Sequence, residues 1–147
     1  MSSTSVPKTT LSADGSPTSL IPILSSLLPS PTNTPWEISE TSRVTGGQTN
    51  KLYKATFSPS TPHPPVLVRV FGAEGLIDRD RETATFIALS QAGLGPRCLG
   101  VFANGRVEEF LQDYRTLNIR DIAEAHTATS IARQMAKIHK FQPPGGE

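Results

Sequence analysis

The chain has few of the features that mark secreted, membrane or nucleic-acid-binding proteins. Its 147 residues include a single cysteine, Cys98, so no internal disulfide can form, and a reducing cytoplasmic setting is expected. The formal net charge is +1, and the basic residues are scattered, whereas nucleic-acid-binding domains gather them into a stripe with aromatics. No apolar run is long enough to span a bilayer. We therefore expect neither a nucleic-acid partner nor a transmembrane segment.

The first 35 residues also have little charge and little apolar surface. Lys8 and Asp14 are the only charged side chains there, and Ser, Thr and Pro dominate, which predicts a disordered tail. No arginine precedes residue 43, and no basic stretch precedes the apolar run, so neither a mitochondrial presequence nor a secretory signal is expected. Leucine and isoleucine at helical spacing near residues 20–28 predict one short docked helix, with Pro22 in its first turn.

The rest of the chain alternates between strand and helix patterns. The strand Val66-Leu67-Val68-Arg69-Val70-Phe71 reads as buried, and the Asn104-Gly105 pair indicates a hairpin later in the chain. Helices are predicted at residues 78–93, with Asp78 as N-cap, and at 127–140, with one turn at 121–125. Five segments are predicted as strands: 36–45, 50–57, 66–71, 97–103 and 106–111. The expected fold class is α+β, a five-stranded antiparallel sheet with one helix packed across it.

A glycine pair separates the first two predicted strands. Taken alone, Gly46-Gly47 is more typical of a hairpin turn than of a ligand site. However, a strand cation, Arg69, and an early-helix acid, Glu82, follow it, and this order is that of the nucleotide site in the upper lobe of kinases. The alternatives are a strand-end arginine reaching to water and a solvated first-turn acid.

Seven segments resemble, in order and spacing, the ethanolamine and choline kinases, which share the protein-kinase-like fold. The wording Val-Leu-Val-Arg, Asp-Arg-Asp and Ala-Lys-Ile-His is closer to ethanolamine kinases. The resemblance implies an N-terminal lobe that holds ATP for the phosphorylation of ethanolamine, which begins the CDP-linked route to phosphatidylethanolamine. The matching segments are residues 46–52, 66–72, 78–82, 94–96, 102–106, 108–111 and 131–139.

The resemblance also implies residue roles. Arg69 would contact the ATP phosphates and pair with Glu82, and the backbone of residues 109–111 would bind adenine as a hinge. Thr49 and Asn50 could equally be turn residues without a ligand. The implied nucleotide-binding residues are Gly46, Gly47, Gln48, Thr49, Asn50, Arg69, Glu82, Glu109, Phe110 and Leu111. No metal site is expected, because His63, His126 and His139 do not share the spacing of metal ligands.

Two motifs of the family do not occur in this sequence. The family's C-terminal lobe carries a His-x-Asp-x-x-x-x-Asn loop and an Asp-Phe-Glu type motif, which supply the catalytic aspartate and the Mg²⁺ ligands. The implied organisation is a tail at 1–35, a small lobe at 36–111, and a hinge connector with the first helix toward a large lobe at 112–147. The chain is thus expected to be a gene-model fragment or a truncated product. It should bind ATP weakly, contain no catalytic residue and catalyse no phosphorylation of ethanolamine.

Two alternatives remain open. The first is a phosphotransferase lobe whose acceptor is choline or an aminoglycoside, because an upper lobe distinguishes acceptors poorly. The second is a non-catalytic module that binds a full-length kinase, another protein or a copy of itself through an exposed apolar face.

Overall fold

The computed structural model describes residues 15–30, 34–45, 49–72 and 78–142. The predicted tail before residue 15 and the glycine pair lie outside these ranges. Two compact units are present, a sheet unit formed by residues 1–77 and 97–110 and a helical unit formed by residues 78–96 and 111–147. In chain order the elements are α1 (Pro17–Leu27), β1 (Ile38–Val44), β2 (Asn50–Phe57), β3 (Val66–Phe71), α2 (Arg79–Gln91), β4 (Cys98–Phe102), β5 (Gly105–Glu109), α3 (Ile119–Ala123) and α4 (Ala125–Lys140).

The sheet has the strand order β1-β2-β3-β5-β4, and every neighbouring pair is antiparallel. This confirms the predicted five-stranded antiparallel sheet. Two predicted strands, β2 and β3, have the bounds that their residue patterns indicate. Strands β1 and β4 are shorter than predicted by one or two residues at each end, whereas β5 begins one residue earlier than predicted and ends two residues earlier.

The sheet has one apolar and one charged face, because side chains alternate along a strand. Val68 of β3 opposes Val107 of β5, and both are fully buried. Their neighbours Arg69 and Arg106 oppose each other on the other side. We call the first side the valine face and the second the charged face.

Helix α1 packs on the valine face. Its Leu20, Ile23 and Leu24 are fully buried and belong to the same core cluster as the valines. A Cβ added at Gly100 of β4 would come within 3.0 Å of the Leu27 side chain, so this glycine lets the helix approach the sheet. The predicted short docked helix is therefore present.

The start of α1 differs from the prediction. The apolar spacing placed Pro22 in the first turn, whereas the helix begins at Pro17 and Pro22 lies inside it. Pro17 explains the earlier start, because proline is favoured at the first helical position. The interior Pro22 removes one backbone hydrogen bond, and the burial of α1 on the sheet offsets that loss.

The segment between α1 and β1 is tied to the sheet unit through Trp36. Its indole is 2% exposed and its Nε1–H donates to the carbonyl of Leu28 at 3.0 Å. The rings of Phe57 and His63 pack against it, with centroids 5.0 and 5.2 Å away. His63 thus belongs to an aromatic cluster with Trp36 and Phe57.

The helical unit is held by local interactions. Asp78 caps α2 as predicted, since its side chain accepts the N–H of Arg81, and Gly93 follows the helix with a φ of 68°. No residue of α2, α3 or α4 is fully buried. Helix α4 begins at Ala125, two residues before the predicted start. Within the described ranges, no helix has the length and hydrophobicity needed to cross a membrane.

The start of α3 is stabilised by a capping box and an ion pair. The Asn118 side chain accepts from the N–H of Asp121, and the Asp121 carboxylate accepts from the N–H of Asn118. Both terminal nitrogens of Arg115 donate hydrogen bonds to the Asp121 carboxylate, at 2.6 and 2.9 Å. The Arg115 hydrogen bond, followed by that of Asn118, lowers the pKa of Asp121 to about 2. The predicted single turn at 121–125 therefore lies two residues earlier.

The β4–β5 hairpin predicted from Asn104-Gly105 is present, and a close approach explains its glycine. The loop residues are Ala103 and Asn104, while Gly105 is the first residue of β5 and opposes Phe102. A Cβ at Gly105 would lie 2.1 Å from the Arg69 carbonyl oxygen and 2.4 Å from the Phe102 ring. Only glycine lets β5 approach β3 this closely without a shift.

Gly105→Ala is expected to lower the free energy of unfolding by about 1–3 kcal/mol, the usual cost of an added methyl group that has no space. Urea denaturation followed by circular dichroism measures this change. Gly95→Ala is the matched control, because no atom lies within 4 Å of its added Cβ, and a change below about 0.5 kcal/mol is expected. Equal effects at the two positions would show that the close packing at Gly105 is absent.

The Asp121 carboxyl is expected to titrate with a midpoint near 2, below its ordinary value of 3.8. Because the pKa is lowered in the folded state, the ionised carboxylate stabilises the α3 start above about pH 4, and this stabilisation is lost as the pH falls through about 2. Carboxyl ¹³C NMR titration measures the midpoint. Arg115→Ala should move it toward 3.8, whereas Arg120→Ala should leave it near 2. An unchanged midpoint in the Arg115 variant would refute the assigned cause.

Candidate functional site

The candidate site is built on the charged face of β3 and β5. Arg69 and Arg106 are direct cross-strand partners, an arrangement that repels when no opposite charge is near. Glu108 lies two residues after Arg106 and so on the same face, where it opposes Leu67. This position lets one carboxylate reach both guanidinium groups.

Glu108 is shared between the two arginines. Its Oε1 accepts from Nε of Arg69 at 2.5 Å and from Nε of Arg106 at 2.7 Å, and its Oε2 accepts from Nη2 of Arg69 at 3.2 Å. Glu108 is 2% exposed and Arg106 4% exposed, whereas the Arg69 side chain is 22% exposed. We call these three residues the arginine–glutamate triad. Arg69 is its accessible member.

Two aromatic rings extend the charged face. The guanidinium carbon of Arg106 lies 5.6 Å from the centre of the Phe71 ring, and Nζ of Lys54 lies 4.7 Å from the centre of the Phe110 ring. Cations at such distances are attracted to the ring faces. Around Arg69 the face therefore has three cations and one carboxylate, an arrangement suited to an anionic ligand.

The predicted hinge residues follow β5 directly. The backbones of Glu109 and Arg97 are joined by the Glu109 N–H, which donates to the Arg97 carbonyl at 2.9 Å, and their side chains pair at 3.5 Å. Phe110 ends this part of the sheet unit, and Leu111, which is 40% exposed, begins the next part of the helical unit. The predicted hinge thus coincides with the boundary between the two units.

The predicted phosphate-binding stretch is described only in part. Gly46, Gly47 and Gln48 lie outside the described residues. Thr49 and Asn50 lie beside the end of β3, where the Asn50 side chain accepts the N–H of Gly72 at 3.4 Å.

The structure gives Arg69 and Glu82 partners that the sequence did not predict. Arg69 pairs with Glu108, and Glu82 of α2 pairs with Arg79 at 2.8 Å. Arg69 belongs to the sheet unit and Glu82 to the helical unit, so their predicted pairing stays a prediction.

Sequence reasoning missed Arg106 and Glu108 as site residues. Both lie in segments that match the family, but neither was assigned a role. Alternation along β5 was the available signal, since it places Arg106 and Glu108 on one face and Val107 on the other. The sequence alone does not give the register of β3 and β5, which places Arg106 opposite Arg69 and Glu108 opposite Leu67.

Cys98 opposes Glu108 at the edge of the charged face. Its side chain is half-buried. Burial raises the pKa of its thiol, an effect only partly offset by a hydrogen bond with the Gly100 backbone and by the charge of Arg106. The thiol is therefore protonated at neutral pH, and we assign it no nucleophilic role.

The described residues include a group that suits a polyphosphate. A guanidinium offers paired donors to phosphate oxygens, and Arg69 has that group in an accessible position. Mg²⁺ requires several oxygen ligands. Across the described part of the chain, no three His, Cys, Asp or Glu side chains cluster as such ligands do.

Comparisons with known proteins agree on one family. The family model described as choline/ethanolamine kinase matches residues 41–146. A probable ethanolamine kinase of Arabidopsis thaliana is 41% identical over 108 residues, which cover 71% of this chain and 29% of that protein. Probable choline kinase 1 of the same plant is 37% identical over 105 residues, which cover 68% of this chain and 30% of that protein.

A solved structure supports the fold. The choline kinase of Cryptosporidium parvum superposes with a TM-score of 0.69 at 23% identity, covering 87% of this chain and 36% of that one. The chain spans about 30% of the length of the curated relatives named above. These matches confirm the predicted kinase-like N-terminal lobe, and the chain belongs to the choline/ethanolamine kinase family.

Proposed function

We propose that this chain is the ATP-binding lobe of a cytoplasmic ethanolamine kinase, which transfers the terminal phosphoryl group of ATP to the hydroxyl of ethanolamine. The observation that carries the proposal is the position of Arg69. Glu108 accepts from Nε and Nη2 of this guanidinium, and Nη1 makes no hydrogen bond to another described residue. A partly exposed cation held in this way is suited to receive phosphate oxygens.

The other nucleotide contacts are assigned by resemblance. We propose that the turn at Gly46, Gly47, Gln48, Thr49 and Asn50 covers the phosphates. Backbone groups of residues 109–111 would bind adenine, and Glu82 would join the phosphate site from α2. The order of the elements supports these roles. In the sequence, the turn residues stand between β1 and β2, residues 109–111 stand at the end of β5, and Glu82 stands in the first turn of α2.

The chemistry of transfer is proposed to need the additional length that the relatives have. Phosphoryl transfer in this fold uses an aspartate that accepts the proton of the acceptor hydroxyl, together with Mg²⁺ that bridges the phosphates. Neither motif that supplies these groups occurs in the sequence. The chain's own residues would bind and orient ATP.

Ethanolamine is proposed as the acceptor from the wording of the matching segments. The 41% identity to a probable ethanolamine kinase supports it, although the 37% identity to a probable choline kinase supports choline almost equally. A protein-interaction module is the second candidate function. It is favoured by the exposed apolar side chains of Ile119, Met135 and Ile138, which are 84%, 50% and 43% exposed.

ATP binding by the purified chain tests the proposal. Isothermal titration should show weak saturable binding, and Arg69→Ala should lower the affinity about tenfold or more, because it removes charge-assisted hydrogen bonds to phosphate. Arg133→Ala removes the same charge from α4 and should leave the affinity unchanged. Equal effects of the two substitutions, or no ATP binding by the unaltered chain, would refute the assignment. Association of the chain without any nucleotide-dependent stabilisation would favour the interaction module.

Turnover separates the lobe from the whole enzyme. The 147-residue chain should release no ADP in the presence of ethanolamine. The transcript downstream of residue 147 should encode the two aspartate motifs, and the longer product should have a higher kcat/KM for ethanolamine than for choline. A preference for choline would overturn the proposed acceptor without affecting the ATP site.

A further inference from the structure

Glu108 has no assigned role in the nucleotide site, yet it makes every carboxylate contact that Arg69 has within the described part of the sheet unit. It binds Arg69 through both oxygens, at 2.5 Å to Nε and 3.2 Å to Nη2. Such a two-point contact fixes the plane of the guanidinium as well as its position. Nη1 is then left at a defined location beside the carboxylate.

Glu108 is itself held rigidly. Its side chain is 3% exposed, and Nε of Arg106 donates to Oε1 at 2.7 Å. Arg106 is 4% exposed, and its guanidinium lies over the Phe71 ring. Arg106 and Phe71 thus support Glu108, and Glu108 supports Arg69.

We propose that Glu108 is a positioning residue that orients Arg69 toward the phosphates of the nucleotide, with Arg106 as its anchor. This inference rests on the proposed function, since it requires that Arg69 contacts ATP. Glu108 touches Arg69 and not the nucleotide, so its effect on binding is indirect.

Charge alone predicts the opposite effect. Replacing Glu108 with glutamine removes a negative charge beside Arg69 and makes the face more attractive to ATP. Positioning predicts weaker binding, because an amide has one acceptor oxygen and cannot hold Nε and Nη2 together. The sign of the change in ATP affinity therefore distinguishes orientation from charge.

The test compares ATP with adenosine, which has no phosphate. For Glu108→Gln, the Kd for ATP is expected to rise about tenfold, the usual value of one lost charge-assisted contact, while the Kd for adenosine changes less than twofold. Glu40→Gln is the matched control. Glu40 is exposed on β1 and opposes Thr56, so the same charge is removed from the same face two strands away from Arg69.

The outcomes separate the two proposals. If the unaltered chain does not bind ATP, the proposed function and this inference both fail. If it binds ATP and the Glu108 variant binds ATP equally or more tightly, only the positioning role fails. Equal weakening for ATP and adenosine would also overturn it, because that pattern indicates general damage to the fold.

A second variant and a second measurement keep the test independent of folding losses. Arg106→Lys keeps the charge but loses the planar fork, so a smaller rise in the Kd for ATP is expected, with adenosine again unaffected. The Nε–H proton of Arg69, observed by ¹⁵N-correlated NMR, reports the restraint of this side chain without any nucleotide. This proton should exchange slowly with water in the unaltered chain and rapidly in the Glu108 variant. Equal exchange rates in the two proteins would contradict the inference.

Discussion

The sharing of one carboxylate by two arginines on adjacent strands is the constraint on which the charged face depends. Burial of an ion costs several kcal/mol before its partners are counted, and two guanidinium groups placed opposite each other add repulsion. Glu108 resolves both problems, because its oxygens accept three hydrogen bonds from Arg69 and Arg106. Hydrophobic residues of similar volume would stabilise such a position at least as well. Stability alone therefore does not explain the three charged side chains at this position.

The opposite side of the sheet makes this arrangement possible. The valine face provides the sheet unit with its core, and α1 covers it through Leu20, Ile23 and Leu24. Because apolar burial supplies most of the stability on that side, the charged face need not be apolar. Gly100 and Gly105 contribute by allowing α1 to approach β4 and β5 to approach β3. Polar function on one face thus depends on close packing at the other face and at the strand backbones.

The sequence predicted the strands whose patterns are strong and local. The bounds predicted for β2 at 50–57 and for β3 at 66–71 are those of the structure. The predicted start of α1 was wrong because its apolar residues begin three positions after Pro17. A proline favoured at the first helical position determines a helix start as much as hydrophobic spacing does.

The partners of the site residues were harder to predict than the elements that carry them. Glu108 is 39 residues from Arg69, and the contact arises only when β3 pairs with β5 across the intervening helix and strand. The partner of Arg79 is easier to predict, because Glu82 lies three residues later in the same helix. Charge pairing within one turn of a helix is visible in sequence, whereas pairing between strands requires the register.

The two units differ in the interactions that stabilise them. The sheet unit has a buried core of its own and carries Arg69, Arg106 and Glu108. Helices α3 and α4 have no fully buried residue and rely on the Asn118–Asp121 capping box, the Arg115 ion pair and helical hydrogen bonds. Isolated helices of this length are marginal in water, so packing of the exposed side chains of Met135 and Ile138 would add stability that the described contacts do not supply. If Arg69 binds phosphate as proposed, that binding should survive changes in α4 that alter the packing of this helix, because Arg69 lies in the sheet unit.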